Sequence, residues 1–267
     1  MNNGYYAATG GMVTQFGRLD NIANNLANLN TNGFKKTDVV VGDFLRLYQE
    51  KREDLPLENQ TVEGSKFIHR SITRVPHIVE SYTDYKTGSM EQTDNTFDAA
   101  INEDNMFFAV NTPDGTRLTR NGSFMLNQDG ILTTKDGFEV LPADYDKSKE
   151  FIKFTDEEIP SLDKDGFFYI DGAPFKQLLL VRPQNVKNLV QEGSTLLRAD
   201  AADPLTPVTN SGSVLKGFVE KSNVNAVSEM TAMIETHRLV EMYQKAMDSQ
   251  MNDLNRDAVT RLANVKA

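Results

Sequence analysis

The two ends of the 267-residue chain most restrict its fold, because both repeat apolar residues with helical spacing. The N-terminal repeat steps by four and three residues, and Ile22 and Leu29 widen it. Its members are Met12, Phe16, Leu19, Ala23 and Leu26. The C-terminal repeat runs from about residue 224 to residue 262 without a glycine or a proline. Each end is therefore predicted to form a helix that carries a coiled-coil seam.

Asparagines crowd the predicted N-terminal seam, although asparagine is a poor helix former. They are Asn24, Asn25, Asn28, Asn30 and Asn32. Amides beside an apolar seam fix the register between helices, so the pattern predicts a specific helix contact. Gly33 supplies a left-handed residue that stops a helix, and Lys35 and Lys36 favour the negative end of its dipole. We therefore predict that this helix ends near Asn30.

The C-terminal helix is predicted to begin after Ser222 and Asn223 and to run for about 40 residues, or roughly 60 Å. Its apolar positions are Val224 or Val227 at the start, then Met230, Ile234, Val240, Tyr243, Met247, Met251, Leu254, Ala258 and Leu262. Globular helices usually have ~8 to 20 residues, so a helix of this length requires partners along its flank. The methionines in the stripe are flexible and suit contacts with slightly different neighbours.

Two arrangements of the end helices are open from the sequence, and they are compatible with each other. The helices can pair within one subunit and cap a monomer, or they can bundle with the helices of neighbouring subunits. Glycine and asparagine make isolated helices marginal, and the N-terminal segment contains Gly10 and Gly11 as well as the asparagines. We therefore expect the ends to become fully ordered on assembly.

The central part of the chain has strand-like periodicity, with short apolar runs separated by Asp-Gly turns. These turns end at Gly115, Gly130, Gly137, Gly166 and Gly172. The predicted strands cover residues 107–110, 117–120, 123–126, 131–134, 167–170 and 177–181. They predict an antiparallel barrel or sandwich. Before these strands, we predict a strand at residues 39–41 and a short helix at residues 44–49. Residues 50–66 are predicted to form a polar, mobile extension.

These patterns predict an α+β fold in which long terminal coiled-coil helices flank a central all-β domain. The length of the chain is sufficient for one sizeable domain with a genuine core. We predict four segments: an N-terminal helix in residues 1–36, an extended and partly mobile connection in residues 37–87, an outer β domain in residues 88–216, and a C-terminal helix in residues 217–267.

Charge and composition exclude several classes of partner. The net charge is −10, of which residues 1–36 carry +2 and residues 218–267 carry −1, so the middle carries −11. An acidic middle disfavours nucleic acid and anionic lipid.

The absence of cysteine excludes disulfides and thiolate metal sites. The start of the chain lacks the features of a cleaved signal peptide, and no stretch is long enough for membrane insertion.

The sequence predicts no catalytic, cofactor or metal site. Residues 163–166 begin like a calcium loop, but the glycine arrives too early and Pro174 replaces the closing glutamate. His69, His77 and His237 show no metal-ligand spacing. The chain also lacks a nucleophile elbow, a Walker loop and a dinucleotide fingerprint. These observations favour a protein that is not an enzyme.

Three motifs resemble the bacterial flagellar rod and hook proteins. Residues 19–36, LDNIANNLANLNTNGFKK, resemble the family's N-terminal ANNLAN-x-NT-x-GFK pattern. Residues 217–238, GFVEKSNVNAVSEMTAMIETHR, resemble its C-terminal pattern, which contains G-x-x-E-x-SNV. Residues 118–124, LTRNGSF, with Gly130 and Gly137, resemble its TR-x-G-x-F hairpin region. The motifs occur in the expected order, and the resemblance covers most of the chain.

This resemblance implies a structural subunit of the flagellar basal-body rod, without cofactors. The terminal helices would polymerise into the hollow axial shaft that crosses the periplasm and transmits torque to the hook. The implied partners are further copies in a helical assembly, other rod subunits, hook-side axial proteins and the type III export apparatus. Within the family, the start at residues 5–12 and residues 229–234 and 240–245 resemble a proximal rod subunit more than a distal one, which is the alternative.

The resemblance and the helical patterns together predict an assembly interface. Its residues are Met12, Phe16, Leu19, Ile22, Ala23, Asn25, Leu26, Asn28, Asn30, Gly33, Phe34, Asn223, Val224, Val227, Met230, Ile234, Arg238, Tyr243, Met247 and Leu254. Arg120 lies within the central motif and fits a local hairpin contact and an intersubunit contact equally well, because a guanidinium forms forked bonds. A secreted β-rich binding module or adhesin with a helical stalk is a competing reading, and a β-domain hydrolase ranks last.

Overall fold

The computed structural model describes residues 3–43, 76–155, 160–199, 205–209 and 212–264. The helices are α1 (Asn3–Ala27), α2 (Tyr145–Ser148) and α3 (Ala226–Asn264). The first nine strands are β1 (Thr37–Asp43), β2 (Pro76–Thr83), β3 (Met90–Gln92), β4 (Ala99–Ile101), β5 (Phe107–Thr112), β6 (Gly115–Thr119), β7 (Phe124–Leu126), β8 (Leu132–Thr134) and β9 (Glu139–Val140). The others are β10 (Ser161–Leu162), β11 (Phe167–Ile170), β12 (Ala173–Gln177), β13 (Leu180–Pro183), β14 (Val190–Glu192), β15 (Leu196–Arg198), β16 (Leu205–Val208), β17 (Val214–Lys216) and β18 (Phe218–Glu220).

The chain divides into two compact units. Unit 1 comprises residues 1–26, 37–82 and 226–267, and unit 2 comprises residues 27–36 and 83–225. Helices at both ends with an antiparallel β region between them confirm the predicted α+β class. Within the described residues, no helix is both long enough and apolar enough to cross a membrane.

In unit 1 the helices α1 and α3 pack against each other in antiparallel directions. The Asn25 Nδ2 atom lies 3.3 Å from Glu229 Oε2, whereas Thr9 Oγ1 lies 3.5 Å from Met247 Sδ near the other end of the pair. A Cβ atom on Gly11 would lie 2.5 Å from two ring atoms of Tyr243, so this glycine permits the close approach of the ring. Strands β1 and β2 form a separate two-stranded sheet.

The boundaries of the two long helices agree with the sequence to within a few residues. Helix α1 ends at Ala27 rather than near Asn30. The Thr31 amide donates to the Asn28 carbonyl at 3.1 Å, and the Thr31 hydroxyl lies 3.2 Å from Asn28 Oδ1. Such local side-chain bonds offer the backbone an alternative to the helix, which explains the earlier end. Helix α3 begins at Ala226, after Asn223 as predicted.

The β part of unit 2 is built from antiparallel hairpins. The largest sheet has nine strands, with seven in the order β14-β15-β6-β5-β9-β8-β7, while β13 pairs with both β5 and β16. Smaller sheets are β10-β11-β12, β17-β4 and β18-β3. The glycines of the five predicted Asp-Gly turns all have positive φ, as hairpin turns require.

The predicted strands are present, but the barrel, one of the two predicted arrangements, is wrong because the described strands form no closed barrel. Among the described strands the largest sheet remains open, with β14 at one end of its path and β7 at the other. The predicted strand at residues 177–181 is divided between β12 and β13. The predicted strand at residues 39–41 lies within β1. The helix predicted at residues 44–49 and the extension predicted at residues 50–66 lie outside the described residues.

The core of unit 2 covers both faces of β5. Phe108 and Val110 belong to one apolar cluster, and Phe107 and Ala109 belong to the other, with none of the four exposed. Side chains alternate between the faces of a strand, so burial of both faces produces a continuous apolar run instead of an alternating one. The Phe108 ring also meets the Phe124 ring edge to face, with 5.2 Å between centroids.

Candidate functional site: helix faces and a buried charge cluster

The predicted apolar stripe of α3 lies on two different faces of the helix. Val227, Met230 and Ile234 are 71%, 50% and 56% exposed, whereas Val240 is only 4% exposed. The six-residue step from Ile234 to Val240 turns an α-helix by about 240°, at 3.6 residues per turn. The stripe therefore passes from an outward face to the inward face. Within one chain, the start of the predicted stripe therefore faces outward and its later part faces inward.

The inward face of α3 is largely polar where it meets α1. Glu229 and Thr236 are as buried as Val240. The side-chain amide of Asn25, itself buried, contacts Glu229 and also donates to the Thr37 carbonyl at 2.8 Å. In return, the Thr37 amide donates to Asn25 Oδ1 at 3.1 Å. Asn25 thus joins three segments of unit 1, which fixes their register.

The buried face of α1 is rotated by about a quarter turn from the predicted seam. Ala8, Gln15 and Ile22 are buried, and they follow a helical spacing of seven residues. Val13 and Phe16, in contrast, are 62% and 43% exposed. Both long helices therefore carry exposed apolar side chains in addition to the faces with which they pair.

The remaining predicted interface residues differ in burial. Gly33, Phe34 and Val224 are buried within unit 2. The half-buried residues are Met12, Leu19, Leu26, Asn28, Asn223, Tyr243 and Met247. The exposed residues are Ala23, Asn30 and Arg238. Leu254 lies within α3, and its side chain lies outside the described part of the structure.

Unit 2 contains a buried charge cluster that brings the three sequence motifs together. Lys35 Nζ lies 2.5 Å from Glu220 Oε1, and Arg120 Nε lies 3.3 Å from Glu220 Oε2. All three residues are 3% exposed or less. Lys35 comes from the N-terminal motif, Arg120 from the central motif and Glu220 from the C-terminal motif. Arg120 therefore makes a long-range buried ion pair, which neither of its two predicted roles described.

Backbone groups add hydrogen bonds to this cluster, although Arg120 Nε and Glu220 Oε2, which face each other, make none within the described residues. Lys35 Nζ also donates to the Lys86 carbonyl at 2.7 Å, and the Gly88 amide donates to Glu220 Oε1 at 2.8 Å. The guanidinium of Arg120 lies over the ring of Phe107, 5.6 Å from its centroid. Buried charges are tolerated when they are paired and hydrogen-bonded, so each member depends on the others.

Burial changes the acid–base properties of the cluster. Desolvation lowers the pKa of Lys35, and the opposing attraction of Glu220 only partly offsets it. Desolvation also lowers the pKa of Arg120. At its edge, hydrogen bonds from Thr87 lower the pKa of the Asp104 carboxyl, with Thr87 Oγ1 at 2.5 Å and the Thr87 amide at 3.0 Å.

A second set of bonds holds the same segments together. The Lys36 amide donates to Asn223 Oδ1 at 2.7 Å, and Asn223 Nδ2 donates to the Asp84 carbonyl at 2.8 Å. The Gly33 amide donates to the Glu220 carbonyl at 2.7 Å. We call this assembly the junction clamp, which comprises residues 33–36, residues 84–88, Arg120 and residues 220–223.

Glycine is required in the junction clamp by close packing. Gly33 has φ +73°, and a Cβ atom there would lie 2.3 Å from the backbone nitrogen of Asn121. A Cβ atom on Gly88 would lie 2.0 Å from the Lys221 carbonyl oxygen. Gly33 was predicted as a helix stop, and it also places the N-terminal motif against the central one.

Sequence reasoning did not identify the Lys35–Glu220 pair. The two residues are 185 positions apart, and no local pattern links them. The only available signal was that each is a charged residue beside an apolar one inside a motif. Within the described residues, no group of acidic, histidine or cysteine side chains is arranged to hold a metal ion. The ion pairs of Glu220 with Lys35 and Arg120 join segments that are distant in the chain.

Three regions of the chain match flagellar protein families. Residues 6–35 match the family described as flagella basal body rod protein. Residues 100–161 match the D1 domain of the flagellar hook protein FlgE/F/G. Residues 215–259 match the C-terminal region of the flagellar basal body rod FlgEFG protein. These regions contain the three members of the charge cluster.

Individual rod proteins are similar over nearly the whole chain. The flagellar basal-body rod protein FlgF of Caulobacter vibrioides is 32% identical over 269 residues, covering 99% of this chain and 100% of its own. FlgG of Buchnera aphidicola subsp. Acyrthosiphon pisum is 32% identical over 246 residues, covering 90% of this chain and 92% of its own. FlgG of Bacillus subtilis is 31% identical over 245 residues, which cover 87% of this chain and 89% of its own.

Proposed function

The chain belongs to the flagellar basal-body rod proteins, and from this premise we propose that it joins its neighbours through the outward apolar faces of α1 and α3. The protein is a structural subunit of the rod, located in the flagellar basal body, and it assembles with other rod components. The observation that supports the proposed contact is the exposure of Val227, Met230 and Ile234 on one face of α3. Covering apolar surface of this kind with a partner lowers the free energy of the assembly, because the surface is removed from water.

The positions of the two apolar patches favour an open assembly. The contacts Asn25–Glu229 and Gly11–Tyr243 fix an antiparallel register. In this register the patch at residues 227–234 of α3 is level with residues 20–27 of α1, about nine residues from the patch at Val13 and Phe16. At 1.5 Å per residue the offset is about 14 Å. Contact between unlike patches of two copies is heterologous and lets subunits add along an axis.

We infer a helical homo-oligomer whose terminal helices bundle as a coiled coil and whose β region lies outside this tube. Many buried seams must slip together before such a bundle twists, so it has the stiffness that torque transmission to the hook requires. The near-neutral ends of the chain support dense packing in the periplasm-spanning rod. The family resemblance also supports export through the type III apparatus and contact with hook-side axial proteins.

We assign the subunit to the proximal part of the rod, with the distal part as the alternative. The motifs at both ends support this assignment, and the similarity to a FlgF protein extends over 99% of the chain. Complementation tests it: the gene should restore rod formation in a strain that lacks FlgF and fail in one that lacks FlgG. The reverse result would indicate the distal position.

The helix contact is tested by the triple substitution Val227→Ser, Met230→Ser and Ile234→Ser. We expect the purified chain to fold as the wild type does but to be lost from isolated basal bodies. The matched control is Met125→Ser, Phe175→Ser and Val190→Ser in unit 2, whose residues are 49%, 43% and 49% exposed. Loss of the control with retention of the helix variant would refute the proposal.

A further inference from the structure

The chain contains three Asn-Gly dipeptides, at residues 3–4, 32–33 and 121–122. Asparagine is thermolabile, because the backbone nitrogen of the next residue can attack its side-chain carbonyl carbon. A bond then forms between this nitrogen and Cγ, and the Cγ–Nδ2 bond breaks with release of ammonia. Water opens the resulting succinimide ring to aspartate or isoaspartate. Glycine favours the attack, since it has no Cβ atom to hinder the nitrogen or restrict the backbone.

The dipeptide at residues 121–122 is held firmly inside unit 2. Asn121 is buried, its amide donates to Thr119 Oγ1 at 3.0 Å, and its Oδ1 atom accepts from the Ser123 amide at 3.1 Å. A Cβ atom on Gly122 would lie 1.6 Å from the Ala99 carbonyl oxygen, so the backbone there has no room to turn. Succinimide formation at Asn121 therefore requires β4, β6 and β7 to separate.

The dipeptide at residues 32–33 is held less firmly. The Gly33 amide donates to the Glu220 carbonyl at 2.7 Å, which keeps the attacking nitrogen away from Asn32 Cγ. Asn32 is half-buried, and within the described residues its Oδ1 atom has no hydrogen-bond partner. The next residue, Phe34, is fully buried but belongs to neither of the two apolar clusters around β5. Residues 31–36 can therefore open while these clusters remain packed.

We propose that Asn32 is a site of spontaneous deamidation, reached by local opening of residues 31–36 without unfolding of the β core. Opening breaks the Gly33–Glu220 hydrogen bond and frees the nitrogen for attack. The reaction consumes only water and releases ammonia. The inference goes beyond the proposed function and does not depend on it, because all the residues that support it lie in unit 2.

The product would prevent residues 31–36 from closing as before. Asn32 Oδ1 is buried without a donor, so a carboxylate in its place would be a buried charge without a hydrogen bond. Isoaspartate also adds an atom to the backbone beside Gly33, where even a Cβ atom would lie 2.3 Å from the Asn121 nitrogen. Deamidation thus converts a reversible opening into a permanent one.

Peptide mapping by mass spectrometry measures the reaction, because deamidation replaces an NH group with oxygen. The full-length chain is incubated at mildly alkaline pH, with and without guanidinium chloride. In the denaturant all three dipeptides should react at similar rates, which provides the reference. In the folded chain we expect Asn32 to react at least about tenfold more slowly than this reference, and Asn121 at least about tenfold more slowly than Asn32. Equal rates at the two sites, or no reaction at Asn32, would overturn the proposal.

Two matched substitutions separate local opening from unfolding. Phe168→Ala removes a fully buried ring from the core, which favours unfolding but does not favour the opening of residues 31–36. We expect it to raise the rate at Asn121 at least about tenfold and to leave the rate at Asn32 within about twofold. Phe34→Ala should raise the rate at Asn32 at least about tenfold. If Phe168→Ala accelerated both sites equally, Asn32 would react only through unfolding, and the proposal would be overturned.

The effect of the product is tested with Asn32→Asp. The control is Asn32→Ala, which removes the unpartnered oxygen and cannot deamidate. Amide hydrogen exchange of residues 33–36 should be at least about tenfold faster in Asn32→Asp than in Asn32→Ala. Equal exchange would show that the carboxylate leaves the segment closed, and the inferred permanent opening would be wrong.

Discussion

The buried helix faces of unit 1 contain more polar side chains than the core around β5 in unit 2. Unit 2 buries phenylalanines on both faces of β5, where Phe107 and Phe108 are 0% exposed. In unit 1 the buried helix faces include Asn25, Glu229 and Thr236, while apolar residues such as Val227 remain outside. Unit 2 therefore obtains stability from its own core, whereas unit 1 leaves apolar side chains of its described helices exposed.

The difference follows from what each region must do. A polar contact between α1 and α3 specifies one register at the expense of affinity, which suits the proposed role of these helices in contacts with neighbours. The β region of unit 2 surrounds buried apolar clusters of its own. In the assembly proposed above, unit 2 would keep its own core and unit 1 would gain further burial from its neighbours.

The largest expected effect of a single substitution is in the core of unit 2. Phe108→Ala removes a fully buried ring that also packs edge to face on Phe124. We expect a loss of about 3 to 5 kcal/mol in the free energy of unfolding, measured by urea denaturation. Phe175→Ala, at a residue that is 43% exposed, is the control and should cost less than about 1 kcal/mol. Equal losses would contradict a self-sufficient core.

The charge cluster should show the second largest effect. Glu220→Gln leaves Lys35 and Arg120 buried without a compensating anion, which we expect to cost about 3 kcal/mol. The control is Glu103→Gln, which breaks the exposed ion pair with Arg182 and should cost about 0 to 1 kcal/mol. Thermal unfolding of both variants at one pH separates them. A small loss of stability for Glu220→Gln would mean that water enters the cluster or that the Lys35 side chain moves, so that the positive charges are no longer buried unpaired.

A third substitution tests whether unit 1 depends on close helix contact. Gly11→Ala improves helix propensity by about 1 kcal/mol, but the added methyl would lie 2.5 Å from Tyr243 ring atoms. Overpacking usually costs about 1 to 3 kcal/mol. We therefore expect the free energy of opening of the α1 and α3 amides, measured by hydrogen exchange, to fall by about 1 kcal/mol. Adding Tyr243→Leu should restore it. A gain in protection for Gly11→Ala alone would show that the helices separate easily.

The sequence predicted the elements better than the contacts between them. The helix at residues 226–264 lacks glycine and proline, and each Asp-Gly turn needs a positive φ, so both are encoded locally. The inward face of α3 was not predictable, because its buried Glu229 and Thr236 are polar. The Lys35–Glu220 pair joins residues 185 positions apart and has no periodic signal. Sheet closure likewise depends on distant strands.

The smallest expected effect is a pH dependence at the edge of the junction clamp, which sharpens the contrast between buried and exposed charges. Hydrogen bonds from Thr87 lower the folded-state pKa of Asp104 below its ordinary value of 3.8. Between the folded and unfolded pKa values the unfolded state binds more protons, so stability rises with pH there. The contribution is present above about pH 4 and is lost as the pH falls through the folded pKa.

The substitution Asp104→Asn should therefore reduce the loss of stability on acidification from pH 7 to pH 3, with little change in the folded structure. Asp104 is largely exposed, so solvent screening keeps the effect smaller than those of the other three substitutions. Urea midpoints at the two pH values provide the measurement, with Asp136→Asn in an exposed turn as the control. An unchanged acid response would mean that the Thr87 bonds persist with a protonated carboxyl, and the predicted role of Asp104 would be wrong.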